Sequence, residues 1–281
     1  MGVEVCVMIV DDDPFDDSLS VGEAPRALPQ HTEPLAQVLS PYANRVIPVT
    51  PAVRALWRAN GLRLISVPRK DFDYLKDKLR LVGPIQQQAY AEAPTWISLA
   101  SSPRWSQTQS VVLDDGPLSL GPGSLRMMMR CWLAPASRLA NEQIAADPTR
   151  RLESGALAGA IQLEMCPQHE QAPSPSDLAT LLQRGGASAP RGVMLSRFLL
   201  EASFTTDDML LVVPERPDID WRPRQPSDAA SDKPLGPPVP APPTLGDLLL
   251  TDLAAGAHRN TRTIIVISPS PPRKFNLLAK Q

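Results

Sequence analysis

The sequence is poor in cysteine and aromatic residues, and it carries no excess of basic charge. Its 281 residues include 5% aromatics and three cysteines, Cys6, Cys131 and Cys166. Such an odd, sparse set argues against a disulfide framework and for a reducing compartment. The net charge is −2 and the basic residues are scattered. Because phosphate neutralisation dominates nucleic-acid affinity, this distribution gives no support for nucleic acid as a partner.

Long apolar runs are also absent. None approaches the roughly 18 to 20 residues that a membrane span needs. The apolar stretch 3–10 is too short for a signal peptide, has no basic residues before it and runs into Asp11, Asp12 and Asp13. We therefore expect an intracellular, non-secreted protein, in the cytoplasm or in an assembled particle, with no membrane as partner.

No complete catalytic or cofactor motif is present. The sequence has no Walker A loop, no G-x-G-x-x-G fingerprint and no G-x-S-x-G nucleophile elbow. Its three histidines leave few candidates for a general base. We expect a protein that is not an enzyme and that uses no cofactor.

Proline, in contrast, is abundant, with 32 residues, about twice the usual share of roughly 5%. Ten of them fall within the thirty residues 214–243. Proline fixes φ and removes a hydrogen-bond donor, so this segment cannot be a helix or a central strand. It favours polyproline II. The segment could be a flexible linker, a ligand for an aromatic-lined groove or an ordered arm laid along a neighbour, and we favour the arm.

Hydrophobic patterning predicts an α+β fold with a mainly antiparallel β-sheet core, short peripheral helices and long proline-rich irregular segments. The predicted division of the chain is a mixed α/β N-terminal portion at 1–93, the antiparallel β core at 94–213, the proline-rich arm at 214–243, and a C-terminal helix, strand and tail at 244–281.

Local signals place several elements within these segments. Thr50 followed by Pro51 predicts the start of a helix, and Thr244 with Asp247 predicts a capped one. Residues 193–204 are predicted to form a single strand. Further helices are predicted at about 136–146 and after Ser174.

The run from Val7 to Pro14 resembles the first strand of response-regulator receiver domains, in which an apolar strand ends in acidic residues that help to hold magnesium. The resemblance covers about ten residues and implies Asp11, Asp12 and Asp13 as metal ligands. A receiver also needs an aspartate after its third strand, but none occurs between Asp17 and Asp71. We therefore interpret the cluster as a solvated acidic turn and keep a metal-dependent enzyme as an alternative.

Cys166 and His169 have a spacing that could place two ligands on one metal ion. A structural zinc site needs four ligands, and no second pair occurs at such a spacing. Cys131 fits the apolar face of an alternating strand and is predicted to be buried.

The alternating strand 124–133 presents Arg126, Arg130 and Trp132 on one face. An exposed tryptophan beside arginine is typical of an interface anchor. A second apolar layer under flanking helices explains the pattern equally simply. The other candidate interface residues belong to the proline-rich arm and are Trp221, Pro237, Pro238 and Pro240.

Three functions follow from these observations. The leading hypothesis is a non-enzymatic structural or interaction protein within a larger assembly of other protein subunits, homo- or hetero-oligomeric, such as a viral or phage capsid or decorating protein or an accessory subunit. The first alternative is the metal-dependent enzyme using Asp11, Asp12 and Asp13. The second is a ligand- or peptide-binding module on the sheet face around Trp132.

Overall fold

The computed structural model describes residues 2–12, 35–134, 160–172, 192–204, 208–215, 243–251 and 261–270. In these residues the protein is mostly antiparallel β-sheet with a few short helices, as the sequence predicts at this coarse level. The strands are β1 Gly2–Asp11, β2 Leu62–Pro68, β3 Gln86–Tyr90, β4 Ala93–Ser101, β5 Gln109–Leu113, β6 Gly116–Leu120, β7 Gly123–Ala134, β8 Ala160–Gln171, β9 Val193–Met194, β10 Leu200–Phe204, β11 Asp208–Pro214 and β12 Thr261–Ser270.

The helices are short. They are α1 Leu35–Leu39, α2 Pro51–Ala59, α3 Phe72–Lys78 and α4 Leu245–Leu250, with single 3₁₀ turns at Ser40–Tyr42, Arg69–Asp71 and Ser196–Phe198. None of the helices in the described ranges is long and apolar enough to cross a membrane.

In the described part of the chain, the β structure consists of two five-stranded sheets and one hairpin. Sheet A has the order β2-β11-β12-β1-β3. Sheet B has the order β10-β8-β7-β4, and β9 pairs with the far end of β8. The hairpin is β5-β6. Sheet A therefore takes strands from the predicted segments 1–93, 94–213 and 244–281, and β1 pairs along its whole length with β12 near the other end of the chain.

The inner faces of the two sheets share one hydrophobic core. Strand alternation directs Val3 and Val5 of β1 into it from sheet A, and Leu125, Met127 and Met129 of β7 from sheet B. Trp57 of α2 and Phe198 also belong to this core, together with the leucines of α4. The protein is thus a β-sandwich at its centre.

The opposite face of sheet A forms a second core. Cys6, Met8 and Val10 of β1 point to this side and pack with Leu39 and Leu75 from α1 and α3. The central strands of sheet A are therefore covered on both faces, which explains why β1 and β11 are almost continuously apolar and why β12 carries an apolar run at Ile264–Ile267. Strand β3, at the edge of the sheet, is exposed.

Local sequence explains the two helices beside the sandwich. Helix α2 has Pro51 in its first turn, and Gly61 follows it with a φ of +80°. In α4, Thr244 Oγ1 accepts a hydrogen bond from the Asp247 amide at 3.1 Å, and the Asp247 carboxylate accepts one from the Thr244 amide. This reciprocal capping box is the one that the sequence predicts.

One local prediction was wrong, and one strand was missed. Residues 193–204 are not one strand, because a 3₁₀ turn at Ser196–Phe198 separates β9 from β10 and buries Phe198 in the core. Strand β3 was not predicted, since its sequence is Gln-Gln-Gln-Ala-Tyr. The helices predicted at 136–146 and after Ser174, and most of the proline-rich arm, lie outside the described residues.

Candidate functional site

The acidic end of β1 is held by arginines. The Asp11 carboxylate lies 3.5 Å from the Arg80 guanidinium and is almost buried. The Asp12 carboxylate lies 2.6 Å from Arg262 Nε and accepts a hydrogen bond from the Leu35 amide at 3.0 Å. Both Asp12 and Arg262 are largely shielded from solvent.

These contacts give the aspartates a structural role. Asp12 joins the end of β1 to β12 and to the first residue of α1. Each carboxylate already faces a positive charge, which opposes the approach of a cation. Asp13 lies outside the described ranges, and within them no group of three His, Cys, Asp or Glu side chains is placed to hold a metal ion. The interpretation as a solvated turn does not fit Asp11 and Asp12, because both are paired and mostly buried.

Cys166 and His169 point to opposite faces of β8. Cys166 lies on the outer side of sheet B, where its Sγ is 3.3 Å from the Leu195 carbonyl oxygen. His169 stacks on Trp105, and its Nε2 lies 3.1 Å from the Gly121 carbonyl oxygen. Residues three apart in a strand alternate in direction, so this pair cannot share one ion. Burial raises the pKa of the Cys166 thiol to about 11, which keeps it protonated and unreactive at neutral pH.

The outer face of sheet B carries a cluster of two tryptophans around one arginine. The Arg130 guanidinium carbon lies 4.9 Å from the ring centre of Trp96 on β4 and 5.6 Å from that of Trp132 on β7. Both tryptophans are half-buried. We call Trp96, Arg130 and Trp132 the Trp–Arg cluster.

The cluster is anchored from the next strand. Arg130 pairs with Glu164 directly across the β7–β8 ladder, and its Nη2 lies 2.5 Å from Glu164 Oε2. This hydrogen bond raises the pKa of Arg130, so the guanidinium stays charged. The ion pair and the two rings together fix the orientation of a side chain that is usually mobile.

A second ion pair lies on the same face. Arg126 on β7 forms an ion pair with Glu170 on β8, and Arg104 approaches the same carboxylate at 3.8 Å. The structure thus places Arg126, Arg130 and Trp132 on one surface, as strand alternation predicts.

Sequence reasoning missed Trp96 and Glu164 as members of this site. Glu164 could have been found, because the alternation of β8 puts it on the outer face. Trp96 could not have been found in this way, because its place in the cluster depends on the pairing of β4 with β7, and that pairing is irregular. The other predicted interface residues, Trp221, Pro237, Pro238 and Pro240, lie outside the described part of the chain. The interface role of the whole set stays a prediction.

A groove of about 470 Å³ lies elsewhere, between the β5–β6 hairpin and the turn at Ser196–Phe198. Its lining combines apolar side chains, among them Leu118, Met194 and Phe198, with polar ones, among them Asp115 and Ser196. Arg197 at its rim forms ion pairs with Asp114 and Asp115. None of the lining residues belongs to the Trp–Arg cluster, so this groove does not supply the pocket that the ligand-binding alternative expects around Trp132.

Comparison of the chain with protein-family models, with curated proteins and with solved structures gave no match.

Proposed function

We propose that the protein is a non-enzymatic component of a larger protein assembly and that the Trp–Arg cluster is part of its contact surface. The observation that carries the proposal is the arrangement of half-buried Trp96 and Trp132 around the ion-paired Arg130 on the outer face of sheet B. Tryptophan and arginine are the residue types most enriched among interface positions that dominate binding energy.

Pre-organisation supports this role. The Arg130 side chain is held by Glu164 and by two aromatic rings before any partner arrives. A side chain that is already ordered loses little conformational entropy on binding. Strands β4, β7 and β8 provide a rigid support of the kind on which protein–protein contacts form.

The metal-dependent alternative receives no comparable support. Its candidate ligands Asp11 and Asp12 have arginine counter-charges at Arg80 and Arg262. Those contacts fit a role in closing sheet A, and we do not propose a metal-dependent reaction.

Co-purification tests the proposal. The tagged full-length chain is expressed in its source cell, and the proteins recovered with it are quantified by mass spectrometry for the wild type, Trp132→Ala and Tyr74→Ala. Tyr74 is a matched control, because it is an aromatic residue that is 63% exposed on α3, on the far side of sheet A. We expect Trp132→Ala to lose the stoichiometric partner, by at least about tenfold, and Tyr74→Ala to retain it. Equal recovery by both variants would overturn the proposal.

A further inference from the structure

Strand β3 forms one edge of sheet A. It pairs with β1 on one side, with Val5 opposite Gln88, and the described part of the chain provides no strand on the other side. All its residues except the half-buried Tyr90 are exposed. An edge of this kind presents main-chain donors and acceptors to any extended chain that approaches.

The direction of these groups follows from the ladder. Ile9 accepts and Asp11 donates main-chain hydrogen bonds toward the 80–82 segment, on the β3 side of β1. Because the bonding direction alternates along a strand, Val3, Val5 and Val7 also face β3, and their partners Tyr90, Gln88 and Gln86 face back. The N–H and C=O groups of Gln87 and Ala89 therefore point away from the sheet.

Within the described residues, the other edge strands of sheets A and B carry features that oppose pairing, and β3 carries none of them. Strand β2 is almost wholly buried and includes Arg63. Strand β4 contains Pro94 and two register shifts. Strand β10 carries the exposed Glu201. Proline, bulges and charge are among the features that normally prevent edge-to-edge pairing. In contrast, residues 85–91 contain neither a charge nor a proline.

We propose that the β3 edge pairs with the β3 edge of a second copy of this chain, antiparallel and with a two-fold axis at Gln88. In this register Gln87 lies opposite Ala89 of the partner subunit, and each of the two such pairs exchanges two main-chain hydrogen bonds. The two copies of sheet A then form one continuous sheet.

The chemistry of the edge favours a copy of itself as the occupant. A two-fold axis places identical residues opposite each other. Charged residues would repel each other there, whereas glutamines can pair, because each side-chain amide both donates and accepts hydrogen bonds. Ile85, which is 37% exposed, adds an apolar side chain beside the pairing segment. A contact of five residues is small, so we expect the isolated dimer to be weak. Its effective affinity rises when other contacts hold the same two chains together.

Charge substitution at the axis tests the register. Sedimentation velocity at low salt is measured over a concentration series for the wild type, for Gln88→Lys, for Gln88→Glu and for the equimolar mixture of the two variants. We expect the wild type to dimerise and each variant alone to associate about tenfold more weakly, because like charges lie opposite each other. The mixture restores association to the wild-type level or above. Gln107→Lys, at an exposed glutamine outside sheet A, is the matched control and retains the wild-type constant.

A second variant tests the main-chain contacts. Ala89→Pro removes a donor that points outward and leaves the bonds of Gln86, Gln88 and Tyr90 to β1 in place. It is expected to abolish dimerisation while the midpoint of urea unfolding changes little. A wild type that stays monomeric throughout the series overturns the inference. So does a dimer that is indifferent to the Gln88 and Ala89 substitutions, or an edge that binds only a different extended peptide.

The inference is independent of the Trp–Arg cluster. Trp132→Ala is expected to leave the β3 contact unchanged, so a failure of the proposed function and a failure of the β3 dimer give different results.

Discussion

The indole Nε1 of Trp57 donates a hydrogen bond to the main-chain oxygen of Phe198, at 3.0 Å. Both residues are buried in the core between the two sheets. The bond ties α2 to the 3₁₀ turn that separates β9 from β10. It also satisfies a carbonyl group that the turn removes from the β8–β10 ladder.

Trp57→Phe tests this contact. The variant leaves the Phe198 carbonyl oxygen without its donor and opens a small cavity, so we expect the free energy of unfolding to fall by about 2–4 kcal/mol. Urea denaturation followed by circular dichroism measures the change. Tyr74→Phe on the surface of α3 is the control and is expected to have little effect. A Trp57→Phe variant as stable as the wild type would show that the contact is unimportant.

Gly246→Ala tests the packing of α4 against the end of α2. A Cβ atom at Gly246 would lie 1.7 Å from the Gly61 carbonyl oxygen, so the backbone must move. We expect destabilisation by about 2–4 kcal/mol. Gly121→Ala is the matched control, because a Cβ there meets no atom within 4 Å. Thermal unfolding of the two variants side by side measures the difference, and equal melting temperatures would contradict the described packing.

Asp12→Ala distinguishes a structural aspartate from a metal ligand. Its removal leaves the buried Arg262 guanidinium without this carboxylate, and we expect a loss of about 3–5 kcal/mol. Asp73→Ala is the control, because the Asp73–Lys76 pair is exposed and contributes at most about 1 kcal/mol. Added Mg²⁺ is expected to leave the melting temperature of the wild type unchanged. An increase that occurs in the wild type and is lost in Asp12→Ala would instead support the metal site.

Alkaline pH is expected to destabilise the protein through Cys166. Burial raises the pKa of this thiol from its ordinary 9.0 to about 11. The folded state therefore keeps the proton in a range where the unfolded chain releases it, and the free energy of unfolding falls as pH rises from about 9 to about 11. Between pH 8 and pH 10 the wild type should lose about 1 kcal/mol more than Cys166→Ala. Chemical denaturation at the two pH values measures this difference, and parallel losses would contradict it.

The parts of the fold that depend on neighbouring residues could be predicted from the sequence. The capping box of Thr244 and Asp247, the start of α2 at Pro51 and the alternation of β7 each follow from a few adjacent side chains. Pairing between distant segments could not be predicted. No local pattern indicates that β1 pairs with β12, or that Asp12 meets Arg262.

The same limit applies to the candidate site and to the β3 edge. Arg130 and Trp132 share a face by alternation alone, whereas Trp96 joins them only through the β4–β7 pairing. The glutamines of β3 have a weak intrinsic preference for strand structure. The strand forms because it pairs with β1. Its exposure follows from its place at the end of sheet A.

The molar mass of the native protein tests the central proposal most directly. The wild type is isolated from its source cell under mild conditions and measured by size-exclusion chromatography with light scattering, beside Trp132→Ala and Tyr74→Ala. The proposal predicts a mass well above the 30.5 kDa of one chain for the wild type and for Tyr74→Ala, and a lower mass for Trp132→Ala. A wild-type mass of 30.5 kDa at high concentration, or a larger mass that Trp132→Ala leaves unchanged, would contradict it.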